Sequence, residues 1–254
     1  STSVLVNPSP LGQVSFSIAT ICNGDSLQLI ASGGQIYEWL PSLTVSSPNS
    51  PAPIASPTQT TAYIVKVSNQ FMCADTASVV VTVLPKPTAD AGPDRVIIAG
   101  NPIELEANAT GSNLTYSWIN GLFINDPDML RPMVNPKVDT KYILIVSTDN
   151  GCGIAEDSVN VKVYSGVYIP NAFTPNGDNI NDRWNIPALA AFKNFELLVF
   201  NRYGQIVFSN SRSIKPWDGK YKGKDVPVGV YTYYIDLKTG NAVGKLKGTV
   251  LVIR

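Results

Sequence analysis

Acidic and amide side chains crowd one short stretch of this chain, Asn176-Gly-Asp178-Asn-Ile-Asn181-Asp182, and such a cluster can serve two kinds of chemistry. Paired carboxylates can divide acid and base roles, as glycoside hydrolysis requires, and Asp178 with Asp182 or Asp126 with Asp128 are the pairs on offer. Both pairs lie among Asn, Gly and Pro, where such side chains usually cap their own backbone, so catalysis is not expected of them. Oxygen-rich loops can also hold calcium. Asn176, Asp178, Asn181 and Asp182 are the candidate ligands, although the fifth loop position, which should supply an oxygen, is Ile180. Asx turns alone would account for the stretch. Asp90 with Asp94 is a weaker second candidate for calcium, and no other cofactor is expected. The 254 residues contain no histidine. Ser–His–Asp and Cys–His nucleophiles and the usual zinc site are therefore excluded.

Nucleophilic sulfur is sparse, and its placement follows a repeat. Tyr37-Glu-Trp39 matches Tyr116-Ser-Trp118, Thr61-Ala-Tyr63 matches Thr140-Lys-Tyr142, and Cys73 matches Cys152, each 79 residues apart. Short β-rich runs with one early Trp per unit fit an immunoglobulin-like sandwich in which Trp39 and Trp118 plug the core. Gly24 aligns with Gly100, so Ile98 stands where Cys22 stands in the first unit. The expectation is a disulfide between Cys22 and Cys73, worth roughly 4 kcal/mol on a chain-entropy model, and a lone sheltered thiol at Cys152. Three reduced cysteines in a cytosolic protein are the alternative, which the remaining composition disfavours.

Composition says what must position these groups. Hydrophobic residues make up 44% and charged residues 15%, with Pro and Gly at 19 each between runs of Val, Ile, Thr and Tyr. That is the punctuation of antiparallel strands and turns. Only Ile186-Pro-Ala-Leu-Ala-Ala-Phe192 reads as helical, and no run is apolar enough for a membrane span. With no signal peptide at Ser1, the chain reads as a processed or excised piece. The expected class is all-β, three consecutive antiparallel sandwich domains covering 1–84, 85–164 and 165–254. Pro85 to Asp94 forms the first linker or edge strand, and Ser165-Gly166 marks the second junction.

Charge differs along the chain. Residues 1–84 hold one basic and three acidic residues, 85–164 six and ten, and 165–254 twelve and six, giving −2, −4 and +6. Lys215, Lys220, Lys222 and Lys224 fall in one apparent loop. A solvated face explains them; without a nucleic-acid motif or interleaved aromatics no nucleic-acid partner is expected.

Residues 165–254 read as a small sandwich in their own right. Candidate strands are Gly166–Ala172, Phe195–Asn201, Ile206–Ser209, Gly229–Leu237 and Lys247–Ile253. Alternation fails after Glu196, which implies a strand inside the sheet. Tyr203-Gly-Gln205 predicts a tight reversal with Gly204 at positive φ, Pro227-Val-Gly229 a turn, and Lys238 to Asn241 a further hairpin turn.

Several strings in this third occur in a telling order: Asn171-Ala-Phe173-Thr-Pro175-Asn176-Gly177-Asp178, Asn181-Asp182, Asn201-Arg202-Tyr-Gly204, Trp217-Asp218-Gly219, Pro227-Val-Gly229-Val-Tyr231, and a last strand closing on Arg254. Together they resemble the gliding-motility-associated C-terminal domain of Bacteroidetes, the type B sorting domain of the type IX secretion system. Tyr203 stands where that family often has Trp. The wording Ala89-Asp-Ala-Gly-Pro-Asp94 is similar to the opening of bacterial PKD-like domains. Asp25-Ser26-Leu27, Asp75-Thr76-Ala77 and Asp157-Ser158-Val159 resemble the Bacteroidetes O-glycosylation signal, which makes Ser26, Thr76 and Ser158 candidate acceptors.

The resemblance implies a non-catalytic C-terminal region of a large exported cell-surface protein, an adhesin by preference, with two stalk repeats and a sorting domain. Its implied partners are the outer-membrane translocon and its shuttle components. A surface polysaccharide or host ligand would be met through a missing N-terminal region. The alternative is an accessory carbohydrate-binding region of a secreted polysaccharide-degrading enzyme.

Overall fold

The computed structural model describes residues 8–120, 122–211, 214–238 and 244–254. The structure is all-β, as expected, apart from a 3-10 turn at Pro187–Ala191. Among the described residues no helix is long and apolar enough to cross a membrane.

Contacts divide the chain into two compact units, one of Ser1–Asp90, Asn108–Ser117 and Leu144–Asp157, the other of Ala91–Ala107, Trp118–Ile143 and Ser158–Arg254. The first unit contains a sheet of β1 (Ile18–Cys22), β2 (Ile36–Leu40), β3 (Thr61–Ser68) and β4 (Ala74–Leu84), in the order β1-β4-β3-β2. Its strands alternate, so Trp39, Tyr63, Val65, Val67, Val79 and Val81 all point to one face. There they meet Ala31 and Ala55, from short paired strands at Gln13–Val14 with Ala31–Ser32 and Leu27–Gln28 with Ile54–Ala55, and Leu29 and Val45 from the segments beside them. Trp39 is fully buried, and its indole N–H donates to the Ser50 carbonyl at 3.1 Å.

The second sequence repeat forms the same sheet again. Its strands are β5 (Arg95–Ile98), β6 (Leu114–Ile119), β7 (Thr140–Thr148) and β8 (Ile154–Tyr164), ordered β5-β8-β7-β6. The Trp118 indole donates to the Met129 carbonyl at 3.0 Å, again eleven residues ahead. The bridge Val45↔Ala55 recurs as Ile124↔Val134. Both tryptophans are core plugs, as their place in the repeat implied.

Each of these four-stranded sheets carries one parallel pair at its edge, the first of its four strands in chain order lying beside the last. β1 runs parallel to β4 with Cys22 opposite Leu84, and β5 runs parallel to β8 with Ile98 opposite Tyr164. This arrangement overturns the expected Cys22–Cys73 disulfide. Cys73 immediately precedes β4, whereas Cys22 lies beside its far end. Eleven residues of extended strand hold the two apart by roughly 36 Å at 3.3 Å per residue. Cys22 is instead bonded to Cys152, across a sequence separation of 130, and Cys73 is the free thiol.

The carboxyl-terminal sheet has five strands: β9 (Ala172–Phe173), β10 (Glu196–Phe200), β11 (Ile206–Ser211), β12 (Gly229–Asp236) and β13 (Lys245–Val252), ordered β9-β13-β12-β10-β11. β10 is interior, as the broken alternation implied. The first expected strand is nearly absent, because only Ala172 of Gly166–Ala172 enters the sheet. Pro170 has no N–H for a ladder, and its carbonyl accepts the Trp184 indole at 2.7 Å instead. The expected turn at Lys238 to Asn241 lies largely outside the described residues. β9 and β13 again pair in parallel.

Candidate functional site

The layer facing this last sheet is made of aromatic rings more than of strands. Trp184 and Trp217 exchange backbone hydrogen bonds at 2.8 and 3.0 Å, and both side chains are buried. Trp217 lies 5.3 Å from the rings of Phe173 and Tyr231 and 6.1 Å from Phe208, with its indole N–H on the Lys220 carbonyl. Ile186, Leu189 and Val226 complete the cluster. Trp184 was not singled out in the sequence: it sits in an irregular stretch with no periodicity to mark which way it faces.

Most residues of the quoted strings build turns around this core. Asn201 accepts the N–H groups of Tyr203 and Gln205 at 3.0 Å each, and Gly204 has φ +76, as expected. Asp218 accepts the Lys220 N–H at 3.1 Å, a two-residue Asx turn. Gly219 has φ +72, and a Cβ there would come within 2.8 Å of the Pro175 ring. Asn171 supplies its carbonyl to the Leu251 N–H at 2.8 Å, and Phe173 is buried in β9. Gly229 has φ +148 at the start of β12. The Tyr231 hydroxyl donates to the Pro227 carbonyl at 2.8 Å, a tie four residues back that resembles the tyrosine corner of immunoglobulin-like sandwiches. Burial raises the pKa of the Tyr231 phenol.

The acidic stretch is a set of nested Asx turns. Asp182 accepts the N–H groups of Gly177 and Asn179 at 2.7 Å each. Asp178 accepts that of Ile180 at 2.7 Å and the Asn176 amide at 2.9 Å, while Asn176 accepts the Asp178 N–H. Asn181 itself adopts φ +53. Backbone donors aimed at these oxygens are the opposite of what a cation needs around it. The Gly177 N–H is the first cause of the lowered pKa of Asp182. Among the described residues no group of three or more acidic, Cys or His side chains could hold a metal. Asp94 is likewise engaged, accepting the backbone and side-chain N–H groups of Asn160 at 2.8 and 3.1 Å. Asp126 caps the Asp128 N–H at 3.0 Å.

Two of the strings, Asn201 to Gly204 and Pro227 to Tyr231, meet on the surface, beside the lysine-rich segment. Asn201 to Val207, Tyr221 to Val226 and Pro227 to Tyr231 line one groove of about 390 Å³. Its rim is basic and apolar. Arg202, Lys222 and Lys224 stand around it, and Lys222 lies 5.3 Å over the Tyr221 ring. Tyr203, Val228 and Val230 are exposed, Tyr203 to 84%. The apparent lysine loop is therefore a hairpin, Lys220–Tyr221 paired with Lys224–Asp225, turning at Lys222 and Gly223 with φ +50 and +78. Asp225, the acid at the rim, pairs with Arg254 at 3.4 Å. Arg254 also donates to the carbonyls of Val226, which lines the groove, and Gly219.

Residues 167–252 match the CHU_C type IX secretion signal domain. The match spans the whole five-stranded sheet and the groove, and a signal of this type implies export to the cell surface. No curated protein matches the chain. Among solved structures, the I-band fragment I67-I69 from titin is 13% identical at a TM-score of 0.44, covering 97% of this chain and 99% of its own. DIP-gamma IG1+IG2 is 14% identical at a TM-score of 0.45, covering 62% and 98%. The N-terminal eight Ig domains of Down syndrome cell adhesion molecule are 14% identical at 0.40, covering 97% and 42%. The fold class rests on the sheets described above. Of the candidate glycan acceptors, Ser26 and Thr76 are exposed and Ser158 is half-buried.

Proposed function

We propose that residues 165–254 are the folded sorting and translocation signal of a large exported surface protein, preceded by two stalk repeats at 1–84 and 85–164. The observation that carries this reading is the match over 167–252, joined by the convergence of two of its motif strings, Asn201 to Gly204 and Pro227 to Tyr231, on one groove. Secretion machinery is the partner that the match implies, and the groove is the surface that it reads. Arg202, Lys222 and Lys224 would steer an acidic partner there, and Tyr203, Val228 and Val230 would supply apolar contact. The other motif residues act indirectly, by building the turns that hold this rim. An adhesin is the favoured parent protein, with Ser26 and Thr76 the better-placed acceptors for O-glycans.

A carbohydrate-binding region needs coplanar aromatics on a sheet face. The large exposed aromatics, Phe71, Phe123, Tyr168 and Tyr203, lie outside strands, which favours the stalk.

Two fusions test the reading. Residues 165–254 attached to a periplasmic reporter should carry it to the surface of a type IX-competent cell; a reporter left in the periplasm defeats the sorting role. An Arg202→Ala, Lys222→Ala, Lys224→Ala variant of the same fusion should remain folded yet stay periplasmic. Undiminished export of that variant would leave the signal intact and remove the groove.

A further inference from the structure

The turn that carries Cys73 is a copy of the turn that carries Cys152. In the first repeat the Cys73 N–H donates to the side chain of Asn69, four residues back, at 3.1 Å. In the second the Cys152 N–H donates to Thr148, also four residues back, at 2.9 Å. The N–H before each cysteine closes the same turn, Met72 onto the Asn69 carbonyl and Gly151 onto that of Thr148, both at 3.1 Å. Met72 and Gly151 share the left-handed conformation, φ +62 and +75. The two sulfurs therefore occupy equivalent places, yet only Cys152 is bonded and buried.

The partner's position repeats as well. Cys22 ends the strand beside Leu84, with the next N–H, that of Asn23, on the Leu84 carbonyl at 2.8 Å; Ile98 ends the strand beside Tyr164, with Ala99 on the Tyr164 carbonyl at 2.8 Å. One repeat thus offers a strand-end cysteine to the turn cysteine of the repeat that follows. The second repeat has Ile98 there and offers nothing onward, and residues 165–254 contain no cysteine to receive it.

Surface composition at the first turn points the same way. Phe71 and Met72 are 52% and 79% exposed, where the second repeat has Asn150 and Gly151. A methionine held at positive φ gains nothing by facing water, since glycine fills that place without steric cost. Leu11 is exposed on the segment bound to this turn, through the Asn69 amide on the Pro8 carbonyl at 2.9 Å.

We propose that Cys73 is the receiving half of a further inter-repeat disulfide, whose other sulfur is the strand-end cysteine of a preceding repeat of the same kind in the parent polypeptide. Phe71, Met72 and Leu11 form the apolar seat of that repeat. A leftover cysteine in an exported protein is either paired outside the described chain or a free reactive thiol, and the bonded state of its equivalent, Cys152, selects the first. The oxidant is a protein disulfide of the exporting compartment. The two thiols lose two protons and two electrons to it, one S–S bond forms, and the donor's own S–S bond is reduced to a dithiol.

The test is a thiol map of the protein exported by its native cells, blocked with N-ethylmaleimide before lysis and digested without reduction. Mass spectrometry should find the Cys73 peptide joined to a peptide from an upstream repeat. N-ethylmaleimide on Cys73, or a bond from it to glutathione or to Cys22, overturns the proposal. The 254-residue chain supplies the control. There Cys73 should label fully while Cys22 and Cys152 stay unlabelled, and Cys73→Ser should leave the melting temperature unchanged. A Cys73 that resists labelling in the folded chain alone also overturns the proposal, because the thiol would then be sheltered without a partner. None of these readouts depends on the sorting role of residues 165–254.

Discussion

The two repeats and the carboxyl-terminal module use tryptophan in opposite ways. In each repeat one Trp stands on the main sheet and donates to a carbonyl eleven residues on, so it pins the chain that crosses above it. In the module both Trp184 and Trp217 stand off the sheet, joined backbone to backbone, and their rings form much of the second layer. A repeat can therefore vary its crossing chain freely so long as the plug stays. The module cannot, because its crossing chain is the plug.

The largest predicted effect breaks that comparison deliberately. Trp217→Ala should cost about 3–5 kcal/mol, the usual range for emptying a buried aromatic site. The loss should fall on residues 165–254 alone, read as lost hydrogen-exchange protection in β12 and β13. Trp39→Ala should cost a similar amount but strip protection from β1 to β4 and leave the module untouched. In an export assay the first variant should stay periplasmic and the second should not. Equal spread of either loss over the whole chain would mean that the regions do not fold separately.

Cys152→Ser comes next. The bond closes a loop of 130 residues, for which chain entropy gives about 5 kcal/mol and native losses run at about 2–5. Urea unfolding of residues 8–90 should shift to lower concentration, while unfolding of the module should not move. Cys22→Ser should behave alike, and the double variant should cost no more than either single one.

How much of this was legible depends on whether a feature is local. The Trp plugs, the Asn201–Gln205 reversal and the Gly204 φ follow from residue types a few positions apart, and sequence alone gives them. The Cys22 partner does not, because it depends on the direction in which β1 lies against β4. Alternating apolar residues specify which face is buried and are silent on parallel or antiparallel pairing. The repeat does hold the right signal in the equivalence of Cys73 with Cys152 and of Ile98 with Cys22, but that equivalence leaves open whether the bond stays within one repeat or, as here, joins one repeat to the next. The groove was invisible for a related reason. Its two strings are separate in the chain, and only β10, β12 and the Lys220–Asp225 hairpin bring them to one surface.

Smaller effects sharpen the module's side of the comparison. Tyr231→Phe removes the hydroxyl from the Pro227 carbonyl but keeps the ring against Trp217, so the cost should be about 0.5–1.5 kcal/mol. Export should be affected more than stability, since Pro227 to Tyr231 form one wall of the groove. A variant that loses stability without losing export would show that the corner serves the fold alone.

The last and smallest effect concerns acid. Asp182 and Asp236 both have lowered pKa values, the first through the Gly177 N–H and the second through the Lys238 N–H. A carboxylate with a depressed folded-state pKa contributes stability above its unfolded value, near 3.9, and that contribution is lost as pH falls through the lower folded value. The module's melting temperature should therefore hold steady above about pH 5 and decline below about pH 4. Asp182→Asn, whose amide oxygen still caps one N–H, should flatten that decline while lowering the plateau. Calcium should shift neither protein, because the Asp178 and Asp182 carboxylates that it would need already accept N–H donors. A calcium-dependent rise in melting temperature that disappears in Asp182→Asn would instead mean that the nested turns reopen around a cation, and the acidic stretch would then be a binding loop after all.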